Sequence, residues 1–230
     1  MIQPRPVIAP YLAEVIGTFA LVFAGPGAIA VDAASGGAVT GVGIGMSFGL
    51  IVMAMIFAVG HISGCHINPA VTIAFWVTRR ITAKRAALYI AAQSLGAVLA
   101  SLAVVAIVGS EGDAGASAPR IGGTSAALYS ELILTFFLVF IVFSVATDHR
   151  AQGSFAAIAI GGYVALAATG WGPIANASMN PARSLGPAVA SGVWDAHWVY
   201  WVGTIAGGIL AALAYDLLRE VRTAEDQAPQ

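Results

Sequence analysis

Long apolar runs, separated by short polar or glycine-rich intervals, dominate this chain. Six of them can cross a hydrocarbon layer, which takes about 20 helical residues. They fall at roughly 8–32, 40–60, 84–108, 125–147, 154–171 and 195–218. Two shorter runs remain, at roughly 68–78 and 180–190, and each opens on the same tripeptide: Asn68-Pro69-Ala70 and Asn180-Pro181-Ala182. Asn is a good helix N-cap and Pro is preorganised for the first helical position, so each tripeptide predicts a helix start. A ten-residue helix is about 15 Å long, half of a hydrocarbon core of about 30 Å. Two such helices entering from opposite faces would meet at mid-membrane. The predicted fold is an all-α membrane protein of six transmembrane helices and two re-entrant half-helices.

The pattern repeats. Ala13-Glu14-Val15-Ile16-Gly17-Thr18-Phe19 matches Ser130-Glu131-Leu132-Ile133-Leu134-Thr135-Phe136, and His66-Ile67-Asn68-Pro69-Ala70 matches Ser178-Met179-Asn180-Pro181-Ala182. Three spans per half put the halves, about 8–108 and 125–218, in opposite orientations, an inverted repeat of the kind found in transport folds. The 109–125 segment joins them without being a domain boundary, so one membrane domain over 1–230 is expected, with a tail from about 219. Gly41, Gly45 and Gly49 recur every four residues on the second span, as do Gly203 and Gly207 on the sixth, a spacing that lets helices approach closely in lipid.

Composition agrees. The chain is 59% hydrophobic and 9% charged, too few charges to cover a soluble domain, where about 25% is usual. A net charge of −1 gives no case for nucleic acid. The single cysteine, Cys65, excludes an intramolecular disulfide framework and reads as a buried filler. No short apolar segment with a small-residue cleavage site precedes the first run, which is expected to stay in place. Arg5, Arg79, Arg80, Lys84, Arg85, Arg150, Arg219 and Arg222 all fall on one side of a six-span layout, while Arg120 stands in a loop on the other. The positive-inside rule makes the first side, with both termini, cytoplasmic.

Several polar residues sit where lipid depth makes them expensive. Asn68 and Asn180 would offer side-chain N–H donors where two positive helix ends face each other, orienting a water and repelling cations. Arg183 is a permanent charge in an apolar hairpin, and intramembrane ionisable residues are functional candidates by default; a salt-bridged structural Arg is the alternative. Glu14 and Glu131 occupy equivalent depths and each needs a partner. The four histidines, His61, His66, His149 and His197, lack metal-ligand spacing, so no metal site is expected. His66 is expected to border the pore and His61 to support its loop, while His149 offers a titratable group at the cytoplasmic face.

With these residues assembled, the chain resembles the aquaporin, or major intrinsic protein, family. The likeness runs from Glu14 through the sixth span and is most specific over Gly60-His61-Ile62-Ser63-Gly64-Cys65-His66-Ile67-Asn68-Pro69-Ala70-Val71-Thr72 and Met179-Asn180-Pro181-Ala182-Arg183-Ser184-Leu185-Gly186-Pro187. The resemblance implies a passive channel for water and small neutral solutes, without cofactor or catalysis and assembled as a homotetramer; the short loops and lack of a targeting extension point to a cell (inner) membrane. It implies backbone carbonyls lining the pore at Gly64, Cys65, His66 and Ile67 and at Asn176, Ala177, Ser178 and Met179. Carried over from the motifs, the narrow filter falls on Phe48, Ala168, Ala177 and Arg183. Glu14 and Glu131 would accept from the backbone of the re-entrant loops, with Gln93 helping to satisfy them. Phe48, Ser184, Ala188, Tyr200 and Trp201 follow the water-channel pattern. Ala168 and Ala177 leave room for something larger, and the second motif also looks like the nodulin-26-like branch, some members of which pass glycerol and neutral metalloid acids. Water as main permeant, glycerol or metalloid acids instead, and an ion-coupled carrier working through Glu14 and Glu131 therefore all stay open.

Overall fold

The computed structural model describes residues 6–147 and 155–219; Arg5, His149, Arg150, Arg222 and the tail beyond Arg219 lie outside the described residues. Among the described residues eight α-helices follow one another: α1 (Ala9–Ala34), α2 (Thr40–Ser63), α3 (Pro69–Val77), α4 (Ala83–Val108), α5 (Gly123–Thr147), α6 (Ala156–Ala175), α7 (Pro181–Ser191) and α8 (Val199–Leu218). Six of them are long and apolar enough to cross a membrane. The short α3 and α7 begin at the two Pro residues of the repeated tripeptide.

Helix ends differ from expectation where turn chemistry intervenes. α6 runs to Ala175, past the expected end near 171: it carries Pro173 within its last turn and closes only at Asn176, a left-handed residue whose N–H bonds to the Gly172 carbonyl (2.7 Å). α8 starts at Val199, later than expected, because Trp194 to Trp198 form tight turns such as His197 N–H to the Trp194 carbonyl (3.1 Å).

The molecule is polar inside and apolar outside. Glu14, Thr18, Gln93, Glu131, Thr135 and Thr204 are fully buried, whereas Leu50, Phe57, Leu99, Phe137, Leu166 and Leu210 are exposed on the outer helix faces. A soluble fold would invert this, and a lipid-facing surface explains it. This is an integral membrane protein. Glycine permits the tightest helix contacts. A side chain at Gly45 or Gly49 would strike the backbone of α6 at Thr169 or Ala165, and one at Gly207 would strike α5 at Leu132. Gly41 is different: nothing lies within 4 Å of its missing Cβ, and it borders an outer cavity instead of a helix.

The halves interlock. α7 of the second half packs on α1 and α4 of the first, and α3 packs on α8. Arg80, just after α3, forms a two-pronged ion pair with Asp216 near the end of α8 (2.6 and 3.1 Å) and lies over the Phe143 ring.

Candidate functional site

The starts of α3 and α7 face each other. Asn68 and Asn180 are extended (φ −158° and −156°), and each carboxamide oxygen caps its own helix: Asn68 accepts from Ala70 N–H (2.8 Å), Asn180 from Ala182 and Arg183 N–H (3.0 and 3.2 Å). The amide nitrogens reach across. Asn68 Nδ2 donates to the Met179 carbonyl (2.7 Å) and Asn180 Nδ2 to the Ile67 carbonyl (2.8 Å). Each NH2 has two hydrogens, so one clasps the opposite loop and the second is left over. The donors expected at the meeting point of the two helix ends are there, and the clasp between the loops is a further role for them.

The segment before each Asn is rich in left-handed residues, at Gly64, Cys65 and Ile67 before Asn68 and at Asn176, Ala177 and Met179 before Asn180. Cys65 and Ile67 have φ of 49° and 42°, and Ala177 and Met179 have 43° and 52°. Such conformations are costly for non-glycine residues, most of all for β-branched Ile67, and persist only where neighbours impose them. Two carboxylates impose them here. Glu14 accepts from His66 N–H (2.9 Å) and Ile67 N–H (2.6 Å), and also from Ser63 Oγ and Gln93 Nε2 (both 2.7 Å). Glu131 accepts from Ser178 and Met179 N–H (both 2.7 Å). Gln93 Nε2 also donates to Thr72 Oγ1 (2.9 Å), whose own proton goes to the Asn68 carbonyl (3.0 Å). His66 Nδ1 lies 3.1 Å from the same hydroxyl; Thr72 can therefore only accept there, which puts the imidazole proton on Nδ1.

A central cavity is bordered by Gly64, Cys65, His66, Ile67 and Asn68 from the first loop and by Ala177, Ser178, Met179, Asn180 and Arg183 from the second. Its remaining wall is apolar and includes Leu21, Val52, Leu138, Ile160 and Val164, residues with no sequence signal beyond hydrophobicity. A second, outer cavity is bordered by Gly41, Arg120, Thr169 and Asn176. Phe48 and Ala168 belong to both walls, so the two spaces adjoin where these side chains stand. Asn176 is thus on the outer cavity, with its side chain accepting from Ala118 N–H (3.2 Å), and not among the residues of the central one.

Arg183 is 1% exposed. Its Nη1 donates to the Gly115 carbonyl (3.0 Å) and to Ser117 Oγ (2.8 Å), both in the 109–122 loop, which turns inward through a left-handed turn at Glu111–Gly115. Its guanidinium lies 5.0 Å from the Phe48 ring centre. Among the described residues, Nε and Nη2 have no partner and no carboxylate pairs with Arg183. A buried guanidinium with two unused donor groups thus stands at the wall of the central cavity.

His61 is exposed in the last turn of α2. The side chains that brace this loop include two that sequence reasoning missed: Ser63 Oγ accepts from Cys65 N–H (3.0 Å), and Tyr89 OH donates to the Ser63 carbonyl (2.8 Å). Tyr89 stands in the second turn of α4, where a hydroxyl carries no sequence signal of its own. Among the described residues no group of three or more His, Cys, Asp or Glu is placed to hold a metal.

The family model described as major intrinsic protein matches residues 2–215. The chain is 42% identical over 219 residues to Aquaporin NIP1-1 of Zea mays, covering 95% of this chain and 78% of that protein. It is 44% identical over 208 residues to Putative aquaporin NIP4-1 of Arabidopsis thaliana, covering 90% and 74%. Among solved structures, the aquaglyceroporin from Plasmodium falciparum superposes with a TM-score of 0.82 at 24% identity, covering 91% of this chain and 95% of that one.

Proposed function

This chain belongs to the major intrinsic protein family, and from that premise we propose a passive pore that carries water in single file and admits small neutral solutes. The observation that carries the reading is the crossed pair of Asn amides at the tips of α3 and α7, beside one cavity that Arg183 also borders. The remaining hydrogen of each amide would turn a passing water's oxygen toward the centre and its protons outward. Two helix N-termini add positive potential at the same point, which opposes hydronium and other cations. Phe48, Ala168, Ala177 and Arg183 would form the selecting constriction, with Nε and Nη2 of Arg183 as donors to the permeant. The carbonyls of Gly64, Cys65, His66, Ser178 and Met179 would supply acceptors along the way.

Glycerol or neutral metalloid acids form the second reading. Alanine at 168 and 177 favours it, because neither side chain narrows the wall opposite Phe48 and Arg183. An ion-coupled carrier is disfavoured: Glu14 and Glu131 hold loop backbone and do not line the cavity. The charge layout supports cytoplasmic termini in a cell membrane, and the family supports four chains side by side, each a single pore-forming domain.

Stopped-flow swelling of proteoliposomes with water, glycerol and arsenite tests the proposal. Water permeability well above that of empty vesicles, and independent of ion gradients, is expected. Fast glycerol uptake with water no faster than in empty vesicles would reverse the order of permeants, and gradient-dependent, saturable flux would remove the pore.

A further inference from the structure

Three buried serines connect the guanidinium of Arg183 to the start of α7. Ser117 Oγ, which accepts from Arg183 Nη1, lies 2.8 Å from Ser184 Oγ. Ser184 Oγ lies 2.5 Å from Ser178 Oγ, which donates to the Asn180 carbonyl (2.9 Å). The three side chains are 2%, 0% and 5% exposed.

Hydrogen counting fixes the direction of the chain. Each hydroxyl has one proton. That of Ser178 is on the Asn180 carbonyl, so the Ser184–Ser178 contact must use the proton of Ser184, and the Ser117–Ser184 contact that of Ser117. Every O–H therefore points away from Arg183 and every oxygen toward it. A buried cation without a paired carboxylate is stabilised by such an alignment, since hydroxyl dipoles replace part of its lost hydration. The first half has nothing comparable. Thr72, at the position equivalent to Ser184, closes its bonds locally on the Asn68 carbonyl, Gln93 and His66.

We propose that the Ser117–Ser184–Ser178 relay is a specificity-setting device that holds Arg183 across the constriction with Nη1 tied down and Nε and Nη2 free for the permeant. The inference rests on the pore reading above and assigns these serines as positioning residues. Without Ser117, the guanidinium keeps only the Gly115 carbonyl on Nη1 and is free to swing away from the Phe48 ring. The passage it leaves is bordered by Phe48, Ala168 and Ala177, wider and less polar, so glycerol gains more than water does.

The test is the glycerol-to-water permeability ratio of purified, reconstituted protein, which does not depend on how much of the sample is folded. Ser117→Ala is expected to raise the ratio about tenfold, the effect of one lost hydrogen bond to a charged group at the low end of its range, and Ser184→Ala to raise it by a smaller factor. Ser117→Thr, which keeps the hydroxyl, should restore the wild-type ratio. If Ser184→Ala does not fold, the Ala and Thr variants at 117 decide alone. Water and glycerol falling together at constant ratio, or an unchanged ratio in Ser117→Ala, would overturn the relay while wild-type conduction stands. A wild type that conducts neither would overturn the pore itself.

Discussion

Two carboxylates decide whether the strained loops keep their shape, and they are not equally secured. Glu14 accepts four hydrogen bonds, two of them from side chains that can rearrange. Glu131 accepts two, both from backbone N–H groups of the second loop. Gln in place of either turns one acceptor into a donor facing an N–H group, which costs about 1–3 kcal/mol. Glu131→Gln is therefore expected to lower the melting temperature in detergent more than Glu14→Gln does, and to cut water permeability per folded molecule more. Equal effects would mean that the side-chain donors to Glu14 contribute nothing. At this scale Asn68, Asn180, Arg183, Glu14 and Glu131 could be picked out of the sequence because each is a polar group at an apolar depth. Ser117, Ser63 and Tyr89 could not. Hydroxyls are tolerated almost anywhere, and only the fold reveals that these three meet a guanidinium or a bent loop.

Helices were readable for the same reason that their exact ends were not. Twenty apolar residues announce a span, but whether a helix passes Pro173 or begins at Trp194 depends on which carbonyls find partners in the adjoining loop. The glycine spacing carries the same lesson. Gly45, Gly49 and Gly207 sit against neighbouring backbone, while Gly41, one helical turn before Gly45, meets open space and borders the outer cavity together with Gly172 and Pro173 of α6. Gly49→Val should accordingly drive α2 from α6 and sharply reduce the fraction of monodisperse protein recovered in detergent, overpacking of this kind costing about 1–3 kcal/mol or more. Gly41→Ala should leave recovery unchanged. Comparable losses for both would show that spacing alone, not contact, governs these positions.

For the molecule as a whole, the inverted duplication and the asymmetry of Arg and Lys were legible in the sequence; the inward fold of the 109–122 loop was not, since a Gly- and Ala-rich connector carries no sign of where it turns. The proposed orientation puts Arg120 outside and Arg79 inside. In a Cys65→Ser background, Arg120→Cys should react with a membrane-impermeant maleimide on intact cells, and Arg79→Cys only after lysis; the opposite pattern would invert the topology. The clasp between Asn68 and Met179 and between Asn180 and Ile67 has one more implication. Each half gives the other what it receives, which is the reciprocity of a two-fold homodimer interface. Two unlinked copies of an ancestral half, inserted head up and head down, could have made the same pair of bonds, so fusing them into one polypeptide required no new contact at the centre.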